Sequence, residues 1–396
     1  MCNIFRSGDL MDIKELDKKY IAGTYARADL VVERGKGATA WDFSGKEYID
    51  LSSGLAVNTF GFCDDEWIKA VTDQLHKLQH ISNLYYTQPQ VKLAEILCQR
   101  TGLKKVFFSN SGAEANECAI KCARKYSSDK YGEGRSTMIT LKSSFHGRTM
   151  AALSATGQYA MHVDFTPFLE GFRYAPANDF DALKSLCDST VCAVVLELVQ
   201  GEGGVITLEP AFVDAVAKLC DDRDILLIID EVQTGIGRCG TLYAFMQYGI
   251  KPDIITSAKG LGGGLPIGAA IMGEKVENTL GPGSHGSTFG GNPVCSAGAI
   301  SILERIDDLF LEEVREKSDF IKTELQNAPG VKSISGLGLM LGIETEKDAK
   351  TIISQCLEKG LIVLSAKEKV RLLPPLNITM GELRRALNIL SEVMAE

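Results

Sequence analysis

One lysine of this sequence stands where a chemically active amine is expected. Lys259 follows the apolar segment PDIITSA (252–258) and precedes the glycine-rich turn 260–264. Burial at the end of an apolar strand lowers the pKa of a lysine, so that its neutral amine can act as a nucleophile. A lysine in an exposed loop is the alternative, but the apolar approach and the lack of neighbouring charges count against it. The residue order differs from a P-loop, in which the lysine follows the glycines, and from the glycine fingerprint of nicotinamide-binding proteins.

A carboxylate stands at the same kind of position on a second apolar segment. Asp230 ends DILLIID (224–230) and is followed by Glu231, Val232 and Gln233. A carboxylate at the inner end of an apolar strand is costly unless it meets a cation or a proton donor. Taken alone, Asp230 is best explained as a cap of the next segment. In a ligand site it would instead contact the protonated ring nitrogen of a cofactor and keep that ring an electron sink.

A third apolar segment is followed by residues suited to binding an anion. Ser111, Gly112 and Ala113 come shortly after KKVFF (104–108) and open a predicted helix. The free N–H groups at the start of a helix can bind a phosphate. The alternative is a helix cap and nothing more, in which Ser111 and Glu114 form a capping box.

The segment after MITL (138–141) combines an aromatic residue, a histidine and an arginine. Phe145 could stack on a planar ring, and Arg148 could bind a carboxylate with two parallel hydrogen bonds. Ordinary packing is the alternative for Phe145, and it is our interpretation of His146. The hydroxyl-bearing loop 285–293 either supplies further phosphate donors or is only a turn.

The elements that position these residues alternate between strands and helices. Strand candidates recur between residues 104 and 272 and are apolar at nearly every position, which indicates burial on both faces. We therefore predict an α/β fold with a mostly parallel sheet, whose ligands bind at the carboxyl ends of the strands. Residues 1–55 and 301–396 hold short strands and amphipathic helices instead. We expect these two ends to form a smaller α+β domain beside a large domain, 56–300.

The composition excludes several other classes of protein. The chain has 396 residues and a net charge of -9, which argues against a general nucleic-acid-binding protein. No apolar run reaches about 18 residues and the N-terminus lacks the core of a signal peptide, so we predict no membrane segment. Residues 1–10 are left out of the fold prediction. The 11 cysteines form no C-x-x-C pair and the histidines show no metal-ligand spacing, which predicts no metal site and a reducing cytoplasm.

Together, the motifs resemble the class III aminotransferases of fold type I. The resemblance runs from Tyr25 to Leu376, and Asp230 and Lys259 stand 29 residues apart, as in that family. It departs at Gly61–Asp65 (GFCDD), where the family has a G-H-x-H-P turn. The matching segments are FFSNSGAEANECAIKCARKY, FHGRTMAALSATGQ, LELVQGEGGV, LLIIDEVQTGIGRCG, SAKGLGGGLPIGA and HGSTFGGNP.

The resemblance implies a pyridoxal 5'-phosphate enzyme in which Lys259 and Asp230 are catalytic. Lys259 would bind the cofactor as a Schiff base, Asp230 would contact its pyridine nitrogen and Gln233 its ring hydroxyl. The other implied cofactor-binding residues are Ser111, Gly112 and Ala113 at the phosphate, Phe145 on the ring, Glu231 and Val232 beside Asp230, and Thr288 from the partner subunit of a homodimer. The implied substrate-binding residues are Arg148, Ser287, Arg371, Glu197 and Glu202, with Glu202 as the acid that can neutralise Arg371.

The resemblance also implies the substrates. The segments 82–90 (SNLYYTQPQ) and 371–379 (RLLPPLNIT) resemble family members that transfer the δ-amino group of N2-acetyl-L-ornithine to 2-oxoglutarate in arginine biosynthesis. Transaminases for ornithine, succinylornithine, succinyldiaminopimelate or 4-aminobutyrate stay open, as does an aminomutase. A nicotinamide-dependent dehydrogenase is disfavoured because its fingerprint is missing. A non-catalytic binding protein is disfavoured because it should have lost Lys259 or Asp230.

Overall fold

The computed structural model describes residues 10–396, and the predictions for residues 1–9 lie outside this range. The strands of the described chain are β1 (Val32–Lys36), β2 (Thr39–Asp42), β3 (Glu47–Asp50), β4 (Lys105–Ser109), β5 (Thr137–Leu141), β6 (Phe172–Ala175), β7 (Val191–Leu196), β8 (Val199–Gln200), β9 (Ile206–Thr207), β10 (Leu226–Asp230), β11 (Ile254–Ser257), β12 (Gly268–Met272), β13 (Val331–Leu337), β14 (Met340–Thr345), β15 (Leu361–Ile362), β16 (Leu364–Ala366) and β17 (Lys369–Leu372). The helices are α1 (Leu10–Tyr20), α2 (Ser53–Ala56), α3 (Asp65–Leu75), α4 (Gln88–Thr101), α5 (Gly112–Tyr131), α6 (Met150–Ala155), α7 (Phe180–Leu186), α8 (Pro210–Asp222), α9 (Phe245–Tyr248), α10 (Pro293–Leu303), α11 (Asp308–Leu325), α12 (Ala349–Glu358) and α13 (Met380–Ala395).

A seven-stranded sheet forms the centre of the molecule, in the order β4-β12-β11-β10-β7-β5-β6. Strand β12 is antiparallel to β4 and β11, and the other neighbouring strands are parallel. Alternate residues of β10 belong to different apolar clusters: Leu227 and Ile229 to one, Leu226 and Ile228 to another. Both faces of the sheet are therefore covered, which explains the continuous apolar strands and confirms the predicted α/β fold with a mostly parallel sheet.

Six of the seven strands, all except β12, have their carboxyl ends at one edge of this sheet. Strands β5, β7, β10 and β11 are parallel, and β4 runs in the same direction because β12 is antiparallel to both β4 and β11. Asp230, the last residue of β10, pairs in register with Thr256 of β11. Lys259 follows β11 two residues after its end. The topology thus brings these two residues to the same edge.

Two smaller sheets contain the strands from the chain ends. One has the order β1-β2-β3-β15, in which Leu361 pairs with Ile49, and the other has the order β13-β14-β17-β16. The first therefore joins strands from both ends of the chain. Helix α10 crosses residue 300 and packs against α3 and α4. The domain boundaries at residues 55 and 300 stay a prediction.

The described residues include no helix that combines the length and the apolar character needed to cross a membrane.

Candidate active site

A cavity of about 480 Å³ opens at the edge where the strand ends meet. This volume is in the range of sites that bind small molecules and cofactors. Most of the residues predicted for catalysis and binding are in its wall. The lining consists of Val57, Asn110, Ser111, Gly112, Ala113, Asn116, Phe145, His146, Gly147, Arg148, Glu197, Glu202, Asp230, Val232, Gln233, Ala258, Lys259, Gly264, Leu265, Pro266 and Ile267.

Lys259 begins a short 3-10 turn, Lys259–Leu261, directly after β11. Its side chain is only partly accessible and lines the cavity. Desolvation lowers the pKa of Lys259, and the negative charge of Glu202 partly offsets this effect. A larger fraction of the amine is therefore neutral, and able to react, than in an ordinary surface lysine.

Asp230 is buried and held by three donors. Its Oδ2 accepts hydrogen bonds from Asn116 Nδ2 and His146 Nδ1, each at 2.8 Å, and its Oδ1 accepts from the Val232 N–H at 3.0 Å. Burial opposes protonation of His146, but the hydrogen bond and charge of Asp230 outweigh this and raise the pKa of the imidazole. His146 is thus more than a packing residue, and that interpretation of it is wrong.

The first turn of α5 leaves backbone donors facing the cavity. Ser111 is the N-cap, and its hydroxyl accepts from the Glu114 N–H at 3.2 Å. In a capping box, the Glu114 carboxylate would accept from the N–H of the N-cap residue, Ser111. Here it accepts instead from the N–H of the preceding residue, Asn110, at 2.9 Å. The N–H groups at the start of a helix have no partner within the helix. Those of Ser111, Gly112 and Ala113 are therefore available to an anion.

A buried arginine forms an ion pair at the cavity wall. Arg371, on β17, is 2% exposed and its Nη1 lies 2.6 Å from Glu202 Oε1 and 3.2 Å from Gln233 Oε1. Burial raises the pKa of Glu202, but the charge and hydrogen bond of Arg371 outweigh it and keep that pKa below its ordinary value. The pair is therefore ionised at neutral pH.

A second arginine of the cavity differs from the first. Arg148 is exposed, and its guanidinium carbon lies 5.6 Å from the centre of the Phe145 ring. Among the side chains of residues 13–396, none forms an ion pair with Arg148, whereas Arg371 has Glu202. Arg371 thus lies behind the lining and is neutralised by Glu202 of the cavity wall, whereas Arg148 lines the cavity and is available to a ligand.

Two glutamates predicted for the site have separate surroundings. Glu197 is buried in the cavity wall, where its Oε2 accepts from the Phe145 N–H at 2.9 Å and burial raises its pKa to about 8. Glu231 lies outside the lining. Its Oε1 accepts from the Phe245 N–H at 2.7 Å, and burial raises its pKa to about 7. The structure therefore places Glu197, but not Glu231, at the cavity.

The hydroxyl-bearing loop also lies outside the lining of this cavity. The Ser287 hydroxyl accepts from Asn110 Nδ2 at 3.2 Å and from the Gly290 N–H at 3.0 Å. Thr288 is exposed. The structure brings neither residue together with Lys259 inside one chain.

Sequence reasoning missed the residues that hold Asp230. Asn116 lies in the second turn of α5, and its Oδ1 also accepts from the Thr256 hydroxyl at 2.8 Å. A polar residue on the mostly apolar buried face of an amphipathic helix was the available signal. His146 Nε2, on the other side of the ring, is buried without a partner in the described chain.

The cavity fits pyridoxal 5'-phosphate group by group. Free helix amides suit its phosphate, the buried Asp230 suits a protonated ring nitrogen, and Lys259 suits its aldehyde carbon. A Cβ atom built on Gly112 would lie 2.7 Å from a Val232 methyl group, so only glycine leaves space between the helix start and Val232.

Comparisons with known proteins agree with this geometry. A family model described as "Aminotransferase class-III" matches residues 20–394. The chain is 53% identical to the acetylornithine aminotransferase of Haemophilus ducreyi over 97% of this chain and 98% of the relative. It is 42% identical to that of Methanocaldococcus jannaschii, over 96% and 98%.

Solved structures show the same relationship. An ornithine aminotransferase from Toxoplasma gondii has a TM-score of 0.92 at 31% identity, covering 97% of this chain and 94% of that one. The N-acetylornithine aminotransferase of Stenotrophomonas maltophilia has a TM-score of 0.81 at 36% identity, over 96% and 98%. The chain belongs to the class III aminotransferases, a family of pyridoxal 5'-phosphate-dependent enzymes.

Proposed function

We propose that this enzyme transfers the δ-amino group of N2-acetyl-L-ornithine to 2-oxoglutarate, giving N-acetyl-L-glutamate 5-semialdehyde and L-glutamate, as a step of arginine biosynthesis. The observation that carries the proposal is the difference between the two arginines: Arg371 is paired with Glu202 at 2.6 Å, while Arg148 has no carboxylate partner among the described residues. Full-length relatives that carry the name acetylornithine aminotransferase, at 42% to 53% identity, support it.

The charges of the two substrates match this arrangement. N2-acetyl-L-ornithine has one carboxylate, far from the reacting amine, which Arg148 would bind. Glutamate reacts at its α-amine and has a second carboxylate close to the reacting carbon, which Arg371 would bind. When the donor is present, Arg371 would be an unpaired buried cation without Glu202, and an uncompensated buried charge is strongly destabilising. Glu202 would therefore pair with Arg371 in one half-reaction and release it in the other.

L-Ornithine is the nearest rival donor because ornithine aminotransferases are among the similar solved structures. Ornithine carries a free α-ammonium beside its carboxylate, and that charge needs an acidic partner. The acids of the cavity wall already have partners: Glu202 binds Arg371, Asp230 binds His146, and Glu197 accepts from the backbone. A neutral acetamido group has no such requirement, which favours the acetylated donor.

We assign the residues around the cofactor as follows. The N–H groups of Ser111, Gly112 and Ala113 bind the phosphate, Phe145 and Val232 pack on the ring, and Gln233 contacts the ring hydroxyl. Asp230 keeps the ring nitrogen protonated, and hydrogen bonds from His146 and Asn116 hold Asp230 in place. When bound, the cofactor supplies an electron sink for the carbon that loses a proton.

Lys259 is the proposed proton carrier. Its lowered pKa allows the free amine to accept a proton from the donor carbon and to return it on the way to product. One group can serve as base and then as acid because transamination moves a proton between two nearby carbons. Lys259 would also hold the cofactor through its Nζ atom when no substrate is bound.

We further propose a homodimer in the cytoplasm, in which Thr288 completes the phosphate site of the partner. Large apolar side chains exposed near this loop support an interface: Tyr86 is 99% exposed, Leu84 86% and Phe289 60%. The free cysteines of the described chain support a reducing compartment.

A donor panel tests the proposed function. The purified enzyme is reconstituted with pyridoxal 5'-phosphate and assayed with 2-oxoglutarate and N2-acetyl-L-ornithine, L-ornithine, N2-succinyl-L-ornithine or 4-aminobutyrate. We expect the highest kcat/KM with the acetylated donor and a borohydride-trapped adduct on Lys259. A higher kcat/KM with ornithine would overturn the substrate, and the absence of cofactor binding would overturn the assignment as a whole.

A further inference from the structure

The backbone of Lys259 is strained. Its φ angle is 44°, in the left-handed region that residues with a side chain seldom adopt. Such a conformation persists only where surrounding contacts hold it. The turn makes two hydrogen bonds of its own, from the Leu261 N–H to the Ala258 carbonyl at 2.9 Å and from the Gly262 N–H to the Lys259 carbonyl at 3.0 Å. A third bond comes from a distant part of the chain.

That bond comes from Thr59, which follows α2. The Thr59 hydroxyl donates to the Gly260 carbonyl at 2.8 Å, and Thr59 is 2% exposed. A Cβ atom built on Gly260 would lie 2.9 Å from Thr59 Oγ1, so the hydroxyl packs directly on the turn. Because no solvent reaches this contact, removal of the hydroxyl would leave the carbonyl without a donor.

The backbone of Thr59 binds a different part of the site. Its carbonyl accepts from the Leu376 N–H at 2.9 Å, and the Leu376 carbonyl accepts from Lys317 Nζ at 2.9 Å. Leu376 lies on the segment that follows Arg371 out of β17. Thr59 therefore binds the turn of Lys259 with its side chain and the segment after Arg371 with its main chain.

We propose that Thr59 is a positioning residue that fixes the Lys259 amine relative to Arg371. The inference rests on the proposed function, in which Arg371 binds the carboxylate next to the carbon whose proton Lys259 moves. The separation of these two groups then determines the rate, because misplacement of a reacting group by about 1 Å is enough to slow a reaction strongly. Thr59 is not among the residues that line the cavity and acts on the amine through the turn.

Two substitutions separate the hydroxyl from the methyl group of Thr59. Thr59→Val keeps the shape and removes the donor, whereas Thr59→Ser keeps the donor and removes the methyl group. We expect Thr59→Val to lower kcat about tenfold in both half-reactions, with the KM for the amino donor within about twofold of wild type. Thr59→Ser should remain within about twofold in kcat. Thr59→Ala, which removes the hydroxyl without adding bulk, replaces Thr59→Val if the latter fails to fold.

A second measurement does not require the enzyme to have its cofactor bound. The pH dependence of Lys259 acylation in the cofactor-free full-length protein, followed by peptide mass spectrometry, gives the pKa of this amine. Burial lowers that pKa in the wild type. A turn released by Thr59→Val should expose the amine more, so the pKa should rise toward the ordinary value of a lysine, and Thr59→Ser should leave it unchanged.

Three results would overturn the proposal: unchanged kcat and unchanged Lys259 pKa in Thr59→Val, equal losses in Thr59→Val and Thr59→Ser, or a lowered melting temperature as the sole effect. The acylation experiment also separates this inference from the proposed function. In one outcome, the wild type transaminates none of the donors while Thr59→Val still raises the pKa of Lys259 and Thr59→Ser does not. That result would overturn the proposed function and leave the positioning of Lys259 by Thr59 in place.

Discussion

His146 Nδ1 lies 2.8 Å from Asp230 Oδ2, and both side chains are buried. The contact joins the loop after β5 to the end of β10, across the intervening strand β7. It gives Asp230 a hydrogen-bond donor in the cavity wall, which lowers the cost of a carboxylate at a buried strand end. The contact also fixes the position of the Asp230 carboxylate at the strand end.

Replacement of His146 should weaken cofactor binding. His146→Gln keeps a polar side chain but removes the imidazole donor, so Asp230 loses a charge-assisted hydrogen bond worth about 1.5–3 kcal/mol. We expect the dissociation constant of pyridoxal 5'-phosphate, from absorbance titration, to rise about tenfold or more. His162→Gln is the matched control, because His162 bonds the Leu153 carbonyl at 2.9 Å outside the cavity lining. Equal affinities in wild type and His146→Gln would contradict this role.

Replacement of Glu202 should affect the two half-reactions in opposite directions. Glu202→Gln leaves Arg371 without its ion-pair partner, so 2-oxoglutarate no longer competes with a carboxylate for that cation. We expect its KM to fall, and kcat/KM for N2-acetyl-L-ornithine to fall about tenfold or more. Single-turnover kinetics of each half-reaction measure both effects. Glu209→Gln, at an exposed glutamate, is the control. If Glu202→Gln changed neither half-reaction, the switch would have to be abandoned.

The sequence predicted well those parts of the site that depend on local structure. Apolar strands buried on both faces identified the sheet, and ligands of such sheets bind at the strand ends, where Lys259 and Asp230 are found. Strand β6 (Phe172–Ala175) was not predicted because it is an edge strand of mixed polarity, which gives a weak pattern.

Contacts between distant parts of the chain could not be predicted in the same way. Arg371 and Glu202 are 169 positions apart, and only the family resemblance suggested their pairing. The contacts of Asn116 and His146 with Asp230 depend on how α5 and the loop after β5 pack on the sheet. Local propensity carries no information about that packing.

The proposed dimer can be tested with two inactivating substitutions placed on different chains. Lys259→Ala removes the reacting amine, and Thr288→Asp places a negative charge beside the phosphate that Thr288 is proposed to bind. If Thr288 acts on the partner, a heterodimer of the two variants has one site with both lesions and one intact site. We expect about half of the wild-type kcat per dimer, measured on heterodimers isolated with two affinity tags.

Activity no higher than that of the two variant homodimers would place Thr288 in the site of its own chain. A monomeric wild-type protein with full activity would exclude the dimer altogether. Size-exclusion chromatography with light scattering, run on the same samples, distinguishes these results.

The buried carboxyl of Glu197 should make stability depend on pH. Burial raises the pKa of Glu197 from 4.5 to about 8, so the folded protein binds a proton that the unfolded chain releases between these values. The stabilisation from the neutral carboxyl is therefore complete below pH 4.5 and is lost as the pH rises to about 8. Each unit of difference between the folded and unfolded pKa corresponds to about 1.4 kcal/mol.

Glu197→Gln removes this titration and keeps the shape of the side chain. The free energy of unfolding of the variant, from urea titrations, should rise relative to wild type between pH 5 and 8 and then stay level above that range. Glu209→Gln, at an exposed site, should show no such trend. The difference in the free energy of unfolding between Glu197→Gln and wild type varies with pH only if Glu197 binds a proton in the folded state that it lacks in the unfolded chain. A constant difference from pH 5 to 9 would therefore mean that Glu197 is ionised throughout this range.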